Sequence, residues 1–267
     1  MNKYYRALGL SITQQTQYRL NFIISYIFSF IPLLINIFVW YAIMSSGIQI
    51  DSAFSSMGSI VIYYVTMFTI NTITDSNSTV ISNEIRTGSI NILLVKNINY
   101  IGYHFSIDAG TRLVKLLSTV LFSTALIIFT YIYTAYKVDI SISKVLITLI
   151  IVINSFLISM FLNMFINLLA FCFMKITSIL GAFFLLKSLV SGLIFPLDLL
   201  PTGIYNVLSL TPFYYILYVP TIVVMDNVNT MESIKLGAMG LFWVAILFAT
   251  CQILWKRGTI RYEAYGG

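Results

Sequence analysis

Long apolar runs, separated by short polar segments, dominate the chain. Six of them come close to or exceed the roughly 20 residues that a helix needs to cross a bilayer core of about 30 Å, because each helical residue rises about 1.5 Å. These runs lie near residues 21–44, 57–75, 113–136, 145–172, 176–195 and 234–255. Lipid cannot bond to backbone groups, and the runs lack the alternation of barrel strands, so each run is predicted to be a transmembrane helix.

Composition supports this prediction. Of the 267 residues, 59% are hydrophobic and 9% are charged, and the mean hydropathy is +0.92. A soluble domain carries roughly 25% charged residues. We find no internal repeat and no linker, so residues 1–267 are predicted to form one all-α membrane domain of six transmembrane helices.

The positions of the basic residues predict the orientation. Most of the 15 lysines and arginines lie in segments on the same side of the membrane as the N-terminus. Lys137, Lys144 and Lys235 lie in segments on the other side, and Lys187 lies inside an apolar run. Cytoplasmic loops carry the excess of basic residues, so both termini are predicted to be cytoplasmic. The basic residues form no continuous stripe, which argues against a nucleic-acid partner despite the net charge of +6.

Three segments lie outside the predicted spans. Residues 1–20 mix aromatic, aliphatic and basic residues and could form a helix in the headgroup plane. Residues 76–112 form the largest cytoplasmic segment. Residues 196–233 form the largest outer segment, which is apolar and holds four prolines. This composition predicts short re-entrant helices, whose irregular backbone must be covered by protein or by a cavity.

The cytoplasmic segment contains a candidate helix between Ile81 and Lys96. Ser82 or Asn83 could cap it, with Glu84 near its positive end. Four apolar residues are spaced to share roughly one face, namely Ile81, Ile85, Ile92 and Val95. Such a helix could lie beneath the membrane and offer its polar face to a partner, or it could be an ordinary amphipathic loop helix.

Lys187 is a basic residue midway along the fifth apolar run, near Ser188 and Ser191. A basic residue at the centre of a membrane helix costs about 2.5–3.5 kcal/mol, so Lys187 is expected to face protein or a hydrated cavity. It could attract an anionic headgroup or substrate. Alternatively, it could snorkel or bond to a polar side chain of the fourth span.

A polar stripe runs along the fourth predicted span. Its members recur at every fourth residue and are Ser155, Ser159, Asn163 and Asn167. This spacing places them on one side of a helix, where polar groups in lipid seek partners. The stripe is predicted to face other helices or a subunit interface, and a role in the substrate path is compatible with that packing.

No catalytic or metal-binding constellation is visible in the sequence. The single histidine, His104, lies in the cytoplasmic segment and is most simply a solvated or interfacial residue. Metalloprotease, nucleophile-elbow and P-loop motifs are missing. The chain is therefore predicted not to be an enzyme, and any energy source must lie on another subunit or in a gradient.

Several groups of residues resemble permease subunits of ABC transporters of the type-2 exporter class, in particular a bacterial subgroup linked to drug and antibiotic-peptide export. The N-terminal part has Gln17-Tyr18-Arg19 and Tyr63-Tyr64, and the cytoplasmic segment has Glu84-Ile85-Arg86-Thr87-Gly88 followed by Leu93-Leu94. The outer segment has Gly192-Leu193-Ile194-Phe195-Pro196, Leu200-Pro201 and Thr211-Pro212-Phe213, and the C-terminal part has Trp255-Lys256-Arg257-Gly258 and Tyr265-Gly266-Gly267. Asn97 is a departure, since the subgroup often has a proline there.

The resemblance implies a partnership and a location. Two permease chains, identical or related, would pack together in the bacterial cytoplasmic membrane. Each would dock on a separate P-loop ATP-binding subunit, which would hold ATP and Mg, whereas this chain would hold no cofactor.

The resemblance also implies roles for particular residues. The ATPase would couple to the membrane helices through Glu84, Ile85, Arg86 and Gly88. A hydrophobic or amphipathic substrate would leave between the two chains, and Lys187, Ser191 and the polar stripe are candidates for its path or for the interface. The candidate outer gate consists of Phe195, Pro196, Pro201 and Pro212.

Three other functions remain open from the residues alone. A self-contained channel or ion-coupled carrier would use Lys187 for selectivity or coupling and would need no ATPase. An intramembrane enzyme lacks a visible nucleophile–base or metal set. A membrane anchor or sensor would use the polar stripe for assembly only.

Overall fold

The computed structural model describes residues 2–17, 19–47, 54, 56–75, 78–133, 142–173, 176–225 and 228–262. In these residues the regular structure is helical, as predicted. The α-helices in chain order are α1 (Asn2–Gln17), α2 (Arg19–Ser45), α3 (Met57–Thr74), α4 (Val80–Thr87), α5 (Ile90–Leu94), α6 (Tyr100–Tyr133), α7 (Ile142–Leu168), α8 (Thr177–Val190), α9 (Thr202–Ser209), α10 (Tyr218–Val224) and α11 (Thr230–Arg261). Short 3₁₀ turns cover Leu169–Phe171 and Leu197–Leu199.

Four helices in the described part of the chain are long and apolar enough to cross a membrane. The spans are Ile27–Ser45, Met57–Thr74, Ile142–Phe171 and Thr230–Ile260, and each falls on a predicted apolar run. The predicted run 113–136 lies in α6, which begins earlier at Tyr100, and positions 134–136 lie outside the described residues. The six-span count and the orientation stay predictions.

The fifth apolar run forms a shorter helix than predicted. Helix α8 has 14 residues, so it is about 21 Å long and does not extend to residue 195. The chain turns at Gly192, whose φ is +80°. Tyr63 donates a hydrogen bond of 2.7 Å to the Gly192 carbonyl, and Tyr64 donates one of 2.9 Å to the Ile194 carbonyl. The residues after α8 are therefore fastened to α3 instead of continuing the helix.

Helix α3 lies in the centre of the bundle, where it contacts α2, α6, α7 and α10. Most of its side chains are buried, which fits a helix that is apolar around its whole circumference. Helices α7 and α11 pack along each other. At their contact the Asn154 side-chain amide donates a 3.1 Å hydrogen bond to the Gly237 carbonyl, and a Cβ at Gly240 would lie 3.4 Å from the Asn154 side chain.

Helix α1 packs along α6 and contacts the loop before it. A Cβ at Gly110 would lie 2.0 Å from the Ser11 hydroxyl, so glycine is required for this close crossing. The backbone amide of Asn99 donates a 3.1 Å hydrogen bond to the Tyr4 hydroxyl, and the Lys3 ammonium donates to the backbone carbonyl of Asn97. The predicted helix near the N-terminus is present, and its location in the headgroup plane stays a prediction.

Candidate functional site

The predicted helix between Ile81 and Lys96 is two short helices, α4 and α5. Gly88 ends α4 with a left-handed φ of +78°, a conformation that favours glycine. Ile85 is buried in the bundle. Ile92 and Val95, which were predicted on the same face, are 63% and 88% exposed. That part of the prediction is wrong, because the turn at Gly88 redirects the chain.

The N-terminus of α4 is capped from outside the helix. Thr79 occupies the cap position without a side-chain cap bond, and the predicted caps Ser82 and Asn83 lie inside the helix. The Ser82 amide donates a 3.2 Å hydrogen bond to the Asn167 carboxamide oxygen, and the amide nitrogen of Asn167 donates one of 2.9 Å to the Ser78 carbonyl. Asn167 of α7 therefore bonds to the backbone at the N-terminus of α4 in place of a capping side chain.

The middle of α4 is bound to α6 through Glu84. The Tyr100 hydroxyl donates a 2.6 Å hydrogen bond to the Glu84 carboxylate, and Nε2 of His104 lies 3.0 Å from the same oxygen. His104 is buried, so of the two predicted environments the solvated one is wrong, and the interfacial one stays a prediction. Burial alone would raise the pKa of Glu84, but the bonds from His104 and Tyr100 outweigh it and lower the pKa below its usual value.

The C-terminus of α4 is bound to the end of α11. The Tyr262 hydroxyl donates a 2.9 Å hydrogen bond to the Ile85 carbonyl. The Trp255 ring stacks on Tyr100 at 4.2 Å, and the Phe171 ring lies edge-on to both Trp255 and Tyr262. Three long helices, α6, α7 and α11, therefore hold α4 at its middle and its two ends.

The predicted coupling residues divide into two groups in this arrangement. Glu84 and Ile85 face the bundle, and Arg86 is exposed. Gly88 is partly exposed and forms the turn to α5. Tyr100 and Tyr262 were missed by sequence reasoning, because their partners in α4 are distant along the chain or separated from them by a turn.

The polar stripe is buried, which confirms that it faces other parts of the bundle. The Ser155 hydroxyl donates to the Tyr215 carbonyl at 2.8 Å, and the Ser159 hydroxyl donates to the Thr74 carbonyl at 2.6 Å. Asn163 accepts a hydrogen bond from the Asn167 amide. A role of the stripe in a substrate path or a subunit interface stays a prediction.

Lys187 is buried and forms an ion pair with the partly exposed Asp75, the residue that follows α3. The Lys187 ammonium lies 3.0 Å from the Asp75 carboxylate. Lys187 is in the last turn of α8 and not midway along a span. Its partner follows α3, so the alternative in which it bonds to a polar side chain of the fourth span is wrong. An acidic partner compensates the buried charge better than a neutral one. Ser191 is buried nearby, and its hydroxyl has no hydrogen-bond partner among the described residues.

The end of α3 is held by α6 as well. Arg112 donates a 2.7 Å hydrogen bond to the Thr74 carbonyl and pairs with Asp108 at 2.8 Å. Together with Ser159 and Lys187, Arg112 fixes the last residues of α3 directly before the connection to α4. Sequence reasoning missed Asp75, because its partner Lys187 is 112 residues away. It also missed Arg112, although the i,i+4 spacing from Asp108 was a local signal for that ion pair.

Two cavities meet at the end of α3. One, of about 420 Å³, lies beside α4 and is lined by residues of α1, α6 and α7 as well. The other, of about 380 Å³, lies between α2, α3 and α8. Asp75 and Lys115 line both. Within the described ranges, no cluster of three or more His, Cys, Asp or Glu residues could hold a metal ion.

The candidate outer-gate residues lie between α8 and α10. Pro196 is buried and precedes the 3₁₀ turn, and Pro201 precedes α9. Phe195 and Pro212 are partly buried in the same segment. The short helices predicted for this segment are present, whereas its position on the outer side and its action as a gate stay predictions.

Comparison with protein families gives one match. A family model described as an ABC-2 family transporter protein matches residues 30–266, which is nearly the whole chain. No curated protein matches. Some of the residues that carried the resemblance, positions 18 and 265–267, lie outside the described residues.

Proposed function

Because the chain belongs to the ABC-2 family of transporters, whose members are membrane components of ABC transporters and not themselves catalytic, we propose that it is the membrane-spanning subunit of an ATP-driven exporter. In this proposal the chain crosses a bacterial cell membrane six times, with both termini in the cytoplasm. It pairs with a second permease chain, identical or related. Each chain docks on a separate ATP-binding subunit, which holds ATP and Mg.

An exposed apolar surface on and beside α5 supports the docking step. Ile92, Leu94 and Val95 are 63%, 43% and 88% exposed, although they belong to the segment predicted to lie in the cytoplasm. Arg86 is exposed on the neighbouring helix. Clustered apolar side chains in water mark a protein interface, so we assign Arg86, Ile92, Leu94 and Val95 to the docking surface for the ATPase.

The bonds of α4 support the coupling step. Asn167, Glu84 and Tyr262 tie it to α7, α6 and α11 through hydrogen bonds of 2.6–3.2 Å. A displacement of α4 and α5 by the ATPase would therefore move these helices or break the bonds. Nucleotide binding would shift the equilibrium between two arrangements of the dimer, because it favours one of them. A hydrophobic or amphipathic substrate would leave between the chains, beneath the segment from Pro196 to Pro212.

Co-purification from the native membrane in mild detergent tests the docking surface. Wild-type protein should recover a P-loop ATPase. Val95→Glu should lose it, because a carboxylate would be desolvated in the interface. Val207→Glu is the matched control, since Val207 is 63% exposed but lies in α9. Equal recovery of the ATPase with both variants would show that α5 is not part of the interface with the ATPase.

A second variant separates docking from coupling. Glu84→Ala removes the carboxylate that binds Tyr100 and His104 but leaves the exposed residues of α5 in place. The ATPase should still co-purify, while substrate efflux per ATP hydrolysed should fall. Tyr100→Phe removes a single hydroxyl and serves if Glu84→Ala does not fold. A wild-type protein that purifies alone and carries substrate in liposomes without ATP would instead favour a channel or carrier.

A further inference from the structure

We infer that α9 lies flat in the membrane surface on the side opposite α4, with its exposed aliphatic face against the acyl chains of that leaflet. Helix α9 lies between Pro201 and Pro212 of the candidate outer gate. The inference goes beyond the proposed function, because it assigns a lipid contact to the gate segment and holds whatever drives transport.

Three faces divide the circumference of α9. Tyr205 and Leu208 are partly buried and pack on the core of the bundle. Thr202 and Asn206 are exposed and form a polar strip. The remaining face consists of three aliphatic residues that are 51%, 63% and 64% exposed, namely Ile204, Val207 and Leu210. At about 100° per residue, the centres of the three faces are separated by roughly 110–130°.

This division fits a helix that lies flat beside the bundle at the membrane surface. In that orientation one face contacts protein, one faces water and one faces hydrocarbon, and each face of α9 has the matching chemistry. A helix standing along the membrane normal would present its whole outer half to lipid. Its polar strip would then lack an aqueous contact, which is costly in hydrocarbon.

The contacts of α9 place it near the end of a membrane span. The Tyr205 ring lies 6.2 Å from the Tyr218 ring. A Cβ at Gly192 would lie 3.0 Å from Tyr218 and 2.8 Å from the Tyr63 hydroxyl. Tyr63 lies about 9 Å along α3 from its first residue, Met57. This depth agrees with the roughly 5–10 Å to which interfacial helices bury their apolar face.

The opposite end of α3 leads to α4, so α9 and α4 lie at opposite ends of the bundle. The proposed topology places α4 in the cytoplasm, and the leaflet that α9 contacts is then the outer one. Residues 199–225 contain no charged side chain. The contact is therefore apolar and needs no particular headgroup charge.

A second copy of the chain is the other candidate partner for this face, and the size of the face argues against it. Helix α9 has 8 residues and is about 12 Å long. Three aliphatic side chains on such a helix cover far less than the roughly 1,200–2,000 Å² that a stable protein interface buries. A lipid leaflet covers them without any minimum area.

Spin labels on α9 test the inference in the full-length permease, with any co-purifying subunits retained, in phosphatidylcholine liposomes. Cys172→Ser removes the exposed cysteine, and Cys251 stays because it is fully buried. A label is then attached to Val207→Cys. Power-saturation electron paramagnetic resonance compares its collisions with oxygen, which concentrates in lipid, and with a neutral nickel chelate, which stays in water.

Oxygen collisions should exceed nickel collisions at Val207→Cys. The order should reverse at Asn206→Cys, the matched control, because Asn206 is the next residue and lies on the polar strip. Ile204→Cys and Thr202→Cys form a second pair on the same two faces, which replaces the first if either variant does not fold.

Three results would overturn the inference. Nickel collisions that exceed oxygen collisions at Val207→Cys would place the aliphatic face in water. Low rates for both reagents would place it against protein, and spectral broadening that disappears on dilution with unlabelled chains would identify that protein as a second copy. The same order of rates on both faces would exclude a flat orientation. None of these measurements involves ATP, so a failure to recover an ATPase would contradict the proposed function alone.

Discussion

Asp75→Asn should destabilise the protein more than Lys187→Met, although both variants break the same 3.0 Å contact. The side chain of Lys187 is 7% exposed, and that of Asp75 is 27% exposed. Without Asp75, the ammonium of Lys187 stays buried without compensation. Without Lys187, the carboxylate of Asp75 still faces two cavities and can be solvated there.

The magnitudes follow from this asymmetry. Removing one partner of a buried pair costs about 3–5 kcal/mol, and we expect Asp75→Asn to fall in this range. Lys187→Met should cost about 1–2 kcal/mol, because methionine retains much of the apolar stem and the remaining carboxylate is partly exposed. The double variant replaces both charges and should lie within about 1 kcal/mol of the wild type.

Reversible unfolding in mixed micelles, followed by circular dichroism, measures all four proteins as a double-mutant cycle. The expected interaction energy is about 3 kcal/mol or more, since the double variant recovers most of the loss. Additive losses would show that the pair contributes little and that each side chain acts through other contacts. A larger loss for Lys187→Met than for Asp75→Asn would refute the argument from exposure.

Three further predictions use the same unfolding measurement. Gly88→Ala should lose about 1–2 kcal/mol, because a side chain at φ +78° is strained. Gly258→Ala should lose about 1–3 kcal/mol, because the new methyl would lie 2.3 Å from the Phe171 ring; Gly237→Ala on the same helix, whose methyl would meet its nearest neighbour at 3.6 Å, should be close to neutral. Glu84 has a lowered pKa in the folded state, so its ionised form contributes stability above the ordinary carboxyl pKa, and this stability is lost as the pH falls through the lowered value. Glu84→Gln should therefore flatten the acid side of the stability profile, and an unchanged acid slope would exclude this contribution.

The long helices could be predicted from the sequence because their signal is local and additive. Each apolar run of sufficient length predicts a helix whatever it packs against. The prediction was too long for the run 176–195, where apolar residues continue past the turn at Gly192. A hydropathy profile cannot detect the turn at Gly192, because it depends on one glycine and on hydrogen bonds from Tyr63 and Tyr64 of another helix.

The shape of the coupling segment could be predicted only in part. The presence of a short helix followed from Glu84 and the spacing of the isoleucines, and Ile85 is buried on its inner face. The prediction then extended the helical spacing of the apolar residues past Gly88, although α4 ends there. The exposed residues Ile92 and Val95, which now support the docking surface, were for that reason predicted on the same face as Ile81 and Ile85.

The hydrogen bonds of α7 connect the polar stripe with the coupling segment, which lie far apart in the sequence. Asn167 caps α4 across a separation of 85 residues, and the same helix holds the Thr74 carbonyl through Ser159 and the Tyr215 carbonyl through Ser155. These three contacts lie along one face of one continuous helix. A force on α4 is therefore applied to a rod that is also bonded to the end of α3 and to the segment before α10. If α7 moves with α4, it carries the end of α3 and the segment before α10 with it. If the hydrogen bonds of Asn167 to the N-terminus of α4 break first, α7 stays in place. The coupling step therefore requires that these hydrogen bonds resist the displacement of α4 better than the contacts that hold α7 in place.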